Sequence, residues 1–508
     1  MITVSDAWKN IQERFLLPEA FLEIKCAITE AGVQESAVAS GTNEAVFSNI
    51  ENVTVEGDIS ATEKYATNEL NLWALDGSMS ILPDSAPYKS AGYVSNIEAT
   101  GSVTLTLPEV HTVPIPGVTI TWSSEYGEYP PVFTVTAKNG STVVAETTIT
   151  DNTEKVCLVD MELANYDSVT VTVHNWCLPH RRPRIETISL GHTLTLTKKD
   201  IMSYTHEQYG DLLSGELPKN SIEFTLDNTD GRWNPNNPEG MEKYLSERQK
   251  VTVRYGLDID GTTEWIKAGT FYLSEWNAPS NGFEASFVAR DIFEFLIGAE
   301  NKSAVFDTLA KLITYAATYG LLPADASVVV DSSLSNYSTE YLGDGTAAEM
   351  VQKSAHAGGC VLRIDRDGVL YVEPLNKAHS GYVIPISLAY SHPEVTLSKP
   401  LKTVSVDYGA DAPYELSVSS TGETQTVANS FIRNEARATI IAEWVKDTLK
   451  SRKVISGEFR ADPRLDLFDI VTVESKYGEL TPVAITNIKY SFNGSFRATY
   501  TGRVLEEG

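Results

Sequence analysis

The 508-residue chain is long enough for roughly three to five domains, and with 42% hydrophobic and 21% charged residues it can bury a sizeable core. Its 68 acidic residues against 40 basic ones give a formal net charge of −28 and a pI of about 4.7. A surface of that sign is repelled by phosphate, which excludes broad nucleic-acid binding and docking on anionic lipid.

Met1–Asp6 lacks a basic stretch followed by an apolar run, and no apolar segment reaches spanning length, so neither a secretory signal nor a transmembrane helix is expected. Residues 5–24 carry Trp8, Ile11, Phe15 and Leu16 at helical spacing, with Pro18 as a break, and predict a helix. Residues 31–43, rich in Ala, Ser, Thr and Gly, read as a loop. From about residue 44 alternation with period two takes over. It is seen at Val53 and Val55, at Val103, Leu105 and Leu107, at Val169, Val171 and Val173, and at Ile222, Phe224 and Leu226. Val251, Val253 and Tyr255 continue it, as do Phe283 and Phe287. Short alternating runs between Gly, Asn, Asp and Pro clusters predict sandwiches or barrels.

Three helices are expected within this β-rich pattern. Residues 303–318 align Val305, Phe306, Leu309, Leu312, Ile313 and Ala316 on one stripe. Residues 347–357 follow a capping box, Thr346 and Glu349, and stop at Gly358-Gly359. Residues 435–451 group Ile440, Ile441, Trp444, Val445 and Leu449 behind a cap at Asn434. The second helix runs into Val361–Ile364, a turn at Asp365-Arg366-Asp367-Gly368, and Val369–Val372, which reads as a hairpin. No repeat of solenoid or propeller length occurs. Composition changes near Pro87, Gly191, Asn301 and Pro400 mark the soft boundaries.

Catalytic signatures are missing: there is no HExxH, GxSxG or P-loop. Gly343-Asp344-Gly345-Thr346-Ala347-Ala348 fits a loose dinucleotide pattern, with Asp365 downstream, but the preceding Ser338–Leu342 is not apolar enough for a buried strand. A loop entering a capped helix is the simpler reading, and no cofactor is expected. Cys26, Cys157, Cys177 and Cys360 form no CxxC pair, so small buried thiols are expected and a structural metal is not; a Cys157–Cys177 bridge is the alternative. Asp227, Asn228, Asp230 and Asn234 resemble a calcium-loop fragment without its terminal Glu, and turn chemistry explains them better. His174 and His180 lack converging ligands.

Aromatic residues supply the candidate ligand site. Trp122, Tyr126 and Tyr129 end an alternating run, and Trp176 with His180, Arg181 and Arg182 forms a second loop. Exposed rings on sandwich loops stack on the C–H faces of sugars. The alternative places Trp122 in the core and uses the tyrosines to close the sandwich edge. The candidate carbohydrate-binding set is Trp122, Tyr126, Tyr129, Trp176, His180 and Arg181, with no catalytic or metal-binding residues.

Two stretches resemble known families. In 92–191, the order Pro116–Trp122, Phe133–Thr136, Val169–Val173 and Pro183–Gly191 resembles the discoidin-like, galactose-binding jelly rolls carried by tail proteins of phages of Gram-positive bacteria. In 192–508, Leu217–Pro235 and Gly240–Gly256 look like the first barrel of a phage tail-hub protein. Asp462–Val473 and Phe492–Phe496 are similar to its second barrel, and Ala61–Gly77 is similar to an N-terminal element of the same proteins.

The resemblance implies a mainly β, multidomain chain. Its parts would be an N-terminal helical segment (1–43), a β-rich element (44–91) that packs with the first barrel, a jelly-roll sandwich (92–191), a first hub barrel (192–299), a small α+β domain (300–395) and a second hub barrel with one long helix (396–508). It implies a non-enzymatic hub of a tail tip or baseplate in the virion, which links the tail tube to the tip and bounds a DNA channel. Its expected partners are further copies in a ring (three, with six as the alternative), the tail-tube or distal-tail protein, and the tape-measure protein. Host cell-wall glycan is the expected ligand of the jelly roll, and a hexameric distal-tail adaptor is an alternative role. Neither membrane insertion nor specific nucleic-acid binding is implied.

Overall fold

The computed structural model describes residues 1–12, 14, 19–28, 33–41, 101–122, 127–178, 183, 185–237, 240–279, 282–299, 304–319, 322–323, 326–336, 338–343 and 345–505. Phe15, Leu16, Val53, Val55 and the 61–77 element lie outside them. The chain is mainly β and multidomain, and it divides into two compact units. One comprises Met1–Lys25, Thr195–Asn234 and Val251–Gly508, and the other comprises Cys26–Leu194 and Pro235–Lys250.

The second unit is a sandwich. A five-stranded antiparallel sheet runs in the order Val38–Gly41, Gly101–His111, Tyr166–Asn175, Val132–Asn139, Thr142–Ile149. A three-stranded sheet runs Val156–Leu163, Ile115–Trp122, Ile185–Leu190. Alternation puts Val103, Leu105, Val135, Val171, Val173, Val159 and Ile120 into one core with Trp122 and Trp176. Val38–Gly41 extends the sandwich upstream of residue 92 by pairing with Val103–Thr106. Gly117 allows a close approach: a Cβ there would lie 2.0 Å from the Val159 carbonyl oxygen on the paired strand.

The first unit holds a long sheet ordered Lys250–Ile259, Thr262–Asn277, Glu284–Arg290, Lys219–Asp227, Ile201–Tyr209, Leu480–Phe492, Phe496–Val504, Lys453–Arg460, Glu394–Leu397. The two β regions expected as separate barrels therefore share one sheet, joined where Tyr204–Tyr209 pairs with Asn487–Phe492. Between them in sequence lies the α+β part. Leu309–Tyr319, Ala347–Gly358 and Glu435–Leu449 pack Leu312, Ile313, Met350, Val351, Ile441 and Val445 into one apolar core.

Local signals and structure agree at the capping box, where Thr346 Oγ1 accepts from the Glu349 amide and the Glu349 carboxylate accepts from the Thr346 amide, both at 3.2 Å. Asn434 Oδ1 accepts from the Arg437 amide at 2.8 Å. Asn434→Ala is expected to lower stability by about 1 kcal/mol, read as a fall in the urea midpoint with unchanged slope.

Four expectations are corrected. Residues 31–43, read as a loop, hold the short helix Val33–Ser36 and the paired strand Val38–Gly41. Among the described residues the helix over 5–24 spans Asp6–Gln12, and Ala20–Ile28 is a strand with Leu22 and Ile24 buried on it. Residues 303–318 begin as the strand Ala304–Thr308, paired with Ser338–Gly343, and Val305 is exposed. Ile440 is also exposed, since a neighbour of Ile441 is turned about 100° away on a helix.

Candidate functional site

The sandwich brings Trp122 and Trp176 together, but inside the core. Trp122 is 0% exposed and Trp176 is 1% exposed. Their rings meet edge to face with centroids 6.1 Å apart, and Phe133 stands 5.1 Å from Trp122 on another side. The Trp122 indole donates to Cys157 Sγ at 3.0 Å, and that thiol donates to Asn152 Oδ1 at 3.1 Å. The Trp176 indole donates to Glu128 Oε2 at 2.7 Å, and Glu128 is itself buried. Neither tryptophan offers a face to a sugar, which replaces the stacking expectation for these two with the core reading. Inward orientation on alternating strands is the reason: Trp122 shares the inward parity of Val118 and Ile120.

Tyr129 is half-buried against the same core, and its main chain bonds Cys177 in both directions. Cys157 and Cys177 are free thiols, and burial pushes the Cys157 thiol up from its ordinary value. Tyr126, His180, Arg181 and Arg182 lie outside the described residues. His174 is on the surface and bonds Thr134 Oγ1 at 2.8 Å. Asp227, Asn228 and Asp230 each accept from a nearby backbone amide, of Thr229, Trp233 and Arg232 respectively, at 2.9 Å. This is turn chemistry.

The first unit contains a polar cluster that sequence reading missed. His206 projects from Ile201–Tyr209 and is 1% exposed. Its Nδ1 lies 2.8 Å from the Tyr255 hydroxyl, its Nε2 lies 2.8 Å from Asn220 Oδ1, and Tyr204 bonds Tyr255 at 3.0 Å. Tyr490 donates to the Leu465 carbonyl at 2.7 Å. Arg366, from the hairpin turn, reaches into the same region. It donates to Asp466 Oδ1 at 2.8 Å and to the carbonyls of Lys267, Pro463 and Leu465 at 2.7–3.1 Å. The Asp-Gly turn was legible, with Gly368 at φ +87°; the burial of its arginine had no local signal. The cluster is a fastening between the hairpin and the sheet.

Burial also sets two opposed titrations. It holds the His206 imidazole down to about 4, and it pushes the Asp291 carboxyl up to about 8. Asp291 Oδ1 accepts from the Phe293 amide at 2.9 Å, while Oδ2 has no hydrogen-bond partner among the described residues. An unfolded histidine takes up a proton near pH 6.5, roughly, that folded His206 refuses until about 4, so its contribution is lost as pH falls through that window. Folded Asp291 keeps until about 8 a proton that the unfolded carboxyl releases near 4, so its contribution is lost as pH rises. The two slopes oppose each other below about pH 6.5, and above it Asp291 acts alone. Unfolding free energy is expected to fall by about 1.4 kcal/mol per pH unit between about 6.5 and 8. Asp291→Asn should flatten that limb in denaturant titrations and uncover the acid loss from His206.

No helix among the described residues is long and apolar enough to cross a membrane. No family model matches the chain, and comparison with curated proteins finds no match. Solved structures do align with it. The 43 kDa tail protein of prophage MuSo2 from Shewanella oneidensis covers 61% of this chain and 94% of its own, at 15% identity and a TM-score of 0.44. A tail protein from Neisseria meningitidis MC58 covers 62% and 94%, at 12% identity and 0.45. Prophage tail protein gp18 from Listeria monocytogenes EGD-e covers 62% and 91%, at 12% identity and 0.40. The c3393 protein of E. coli, a component of the type VI secretion system, also aligns, covering 61% of this chain and 74% of its own at 13% identity and a TM-score of 0.36.

Proposed function

We propose that the protein is a structural, non-catalytic component of a phage-type tail tip or baseplate, acting as a hub that joins the tail tube to the tip and bounds the DNA channel. The observation that carries this reading is the single sheet shared by 201–290 and 394–504, with the α+β part between them in sequence. Two β regions around a small α+β domain are what the hub-like order of sequence segments implies. The net charge of −28 suits a lumen that must not hold passing DNA. The hub assembles as a homo-oligomeric ring, three copies in this reading, against the tail-tube or distal-tail protein and the tape-measure protein. Electron microscopy of assembled tails labelled on this chain is expected to show label at the tip; mature particles without the chain would overturn the reading. Mass measurement of the purified assembly distinguishes three copies from the six of a distal-tail adaptor.

A second role, glycan adhesion through a galactose-binding-type sandwich, rests on Tyr129 with Tyr126, His180 and Arg181, since both tryptophans are buried. A glycan array on the whole protein against a Tyr126→Ala, Tyr129→Ala variant tests it, and equal signals from the two would reduce the sandwich to a spacer.

A further inference from the structure

Three Asn-Gly pairs occur in the chain, at 139–140, 281–282 and 493–494. A glycine after asparagine leaves its amide nitrogen unshielded, so that nitrogen can approach the asparagine Cγ and displace ammonia from it. Asn281 lies outside the described residues. The other two pairs sit at exposed hairpin tips, one between Val132–Asn139 and Thr142–Ile149 and one between Leu480–Phe492 and Phe496–Val504. Gly140 and Gly494 have φ +56° and +96°, and a Cβ on either would meet nothing within 4 Å. Dipeptide, exposure and open space are thus alike at both, and only local bonding separates them.

That bonding differs. Asn139 Nδ2 donates to the Asn165 carbonyl at 3.0 Å, and the Gly140 amide donates to Asp167 Oδ2 at 2.7 Å. The first bond pins the side chain that must turn. The second sets a carboxylate against the attacking nitrogen, and its charge disfavours the amide anion that attack requires. At the other hairpin, among the described residues, the Asn493 side chain makes no hydrogen bond and the Gly494 amide donates none. The loop's own bond is long, 3.4 Å from the Asn493 amide to the Ser495 carbonyl. Phe492 and Phe496 pair across this loop, each 6% exposed, with ring centroids 4.8 Å apart, and Phe496 stands 4.7 Å from Tyr255.

We propose that Asn493-Gly494 is a site of spontaneous covalent modification, where the Gly494 nitrogen converts Asn493 to aspartate and isoaspartate, while Asn165 and Asp167 hold Asn139-Gly140 back. Hydroxide removes the Gly494 amide proton, and the nitrogen bonds to Cγ of Asn493. The bond from Cγ to Nδ2 breaks, and ammonia leaves with a proton drawn from water. Water then adds to either carbonyl carbon of the cyclic imide and opens it. In net terms an amide and a water become a carboxylate and an ammonium ion. Opening at the main-chain carbonyl carbon leaves the backbone running through Cβ and Cγ, which adds a methylene to a short loop between two buried rings. Either product adds negative charge to a chain already at −28. The inference stands on the two hairpins alone, apart from the tail reading.

The test ages the folded full chain at mildly alkaline pH in heavy-oxygen water and reads each site by peptide mass spectrometry after digestion. Labelled oxygen is expected at Asn493, with conversion about tenfold or more faster than at Asn139, because attack at Asn139 first breaks two hydrogen bonds, one of them to a carboxylate. In guanidinium chloride the two rates should converge. Asp167→Ala should raise the rate at Asn139 and leave Asn493 unchanged. Asn493→Gln, whose longer side chain disfavours ring closure, should remove conversion at its hairpin. The isoaspartate form, separated by chromatography, should lose hydrogen-exchange protection in 488–492 and 496–500 before the other strands of the same sheet. Equal rates at the two sites in the folded protein, an intact Asn493 after ageing that converts it in guanidinium chloride, or unchanged protection around the isoaspartate would overturn the proposal.

Discussion

Replacing Arg366 with alanine is expected to lower the unfolding free energy by roughly 3–5 kcal/mol. The guanidinium is buried, and its hydrogen bonds end on Asp466 and on three main-chain carbonyls. Truncation leaves those acceptors in place without a donor, beside a partly buried carboxylate that has lost its counterion. The penalty is for the orphaned partners rather than for the pair itself, so an isosteric apolar replacement should be milder than alanine. Arg366→Lys should also fail to restore stability, because one ammonium cannot reach the same divergent acceptors. Denaturant unfolding measures the loss. Hydrogen exchange should show it concentrated in Val361–Glu373 and in 462–469, and uniform loss across the chain would contradict the fastening role.

Trp122→Ala is expected to destabilise the sandwich by roughly 3–5 kcal/mol, through lost burial and the void left between Phe133 and Trp176. It also strands the Cys157 thiol without its indole donor. Exchange protection of Ile115–Trp122 and Tyr166–Asn175 should fall together, while the first unit's strands keep theirs. If glycan binding disappeared in this variant with protection intact, Trp122 would be a ligand residue after all and the core reading would be wrong.

Both predictions turn on residues whose type was visible in the sequence and whose placement was not. Alternation at Val103, Leu105 and Leu107 and at Val169, Val171 and Val173 identified inward faces, and each of these side chains is buried. The same parity applied to Trp122 points inward, the reading that the alternation favours; its position at the end of a run, beside tyrosines, left an exposed loop as the other reading. Capping at Thr346 and Asn434 and the hairpin at Asp365–Gly368 were legible because their hydrogen bonds close within a few residues. Ala20–Ile28 was misread because Phe21, Leu22 and Ile24 satisfy a helical stripe as easily as a strand, and the partners that decide between them, His192–Thr197 and Lys250–Ile259, lie far away in sequence.

The sequence by itself determined the β-dominated class, the positions of the helices over 347–357 and 435–451 with their caps, and only the second part of the helix expected over 303–318, because caps and turns follow from side-chain period and local hydrogen bonding. Only the tertiary structure decided that residues 201–209 and 480–492 lie side by side in one sheet. It alone buried His206, Arg366 and Asp291. Strand partnering across hundreds of residues depends on which faces can be covered at once, and the burial of a charged or polar group depends on what the rest of the chain brings to it.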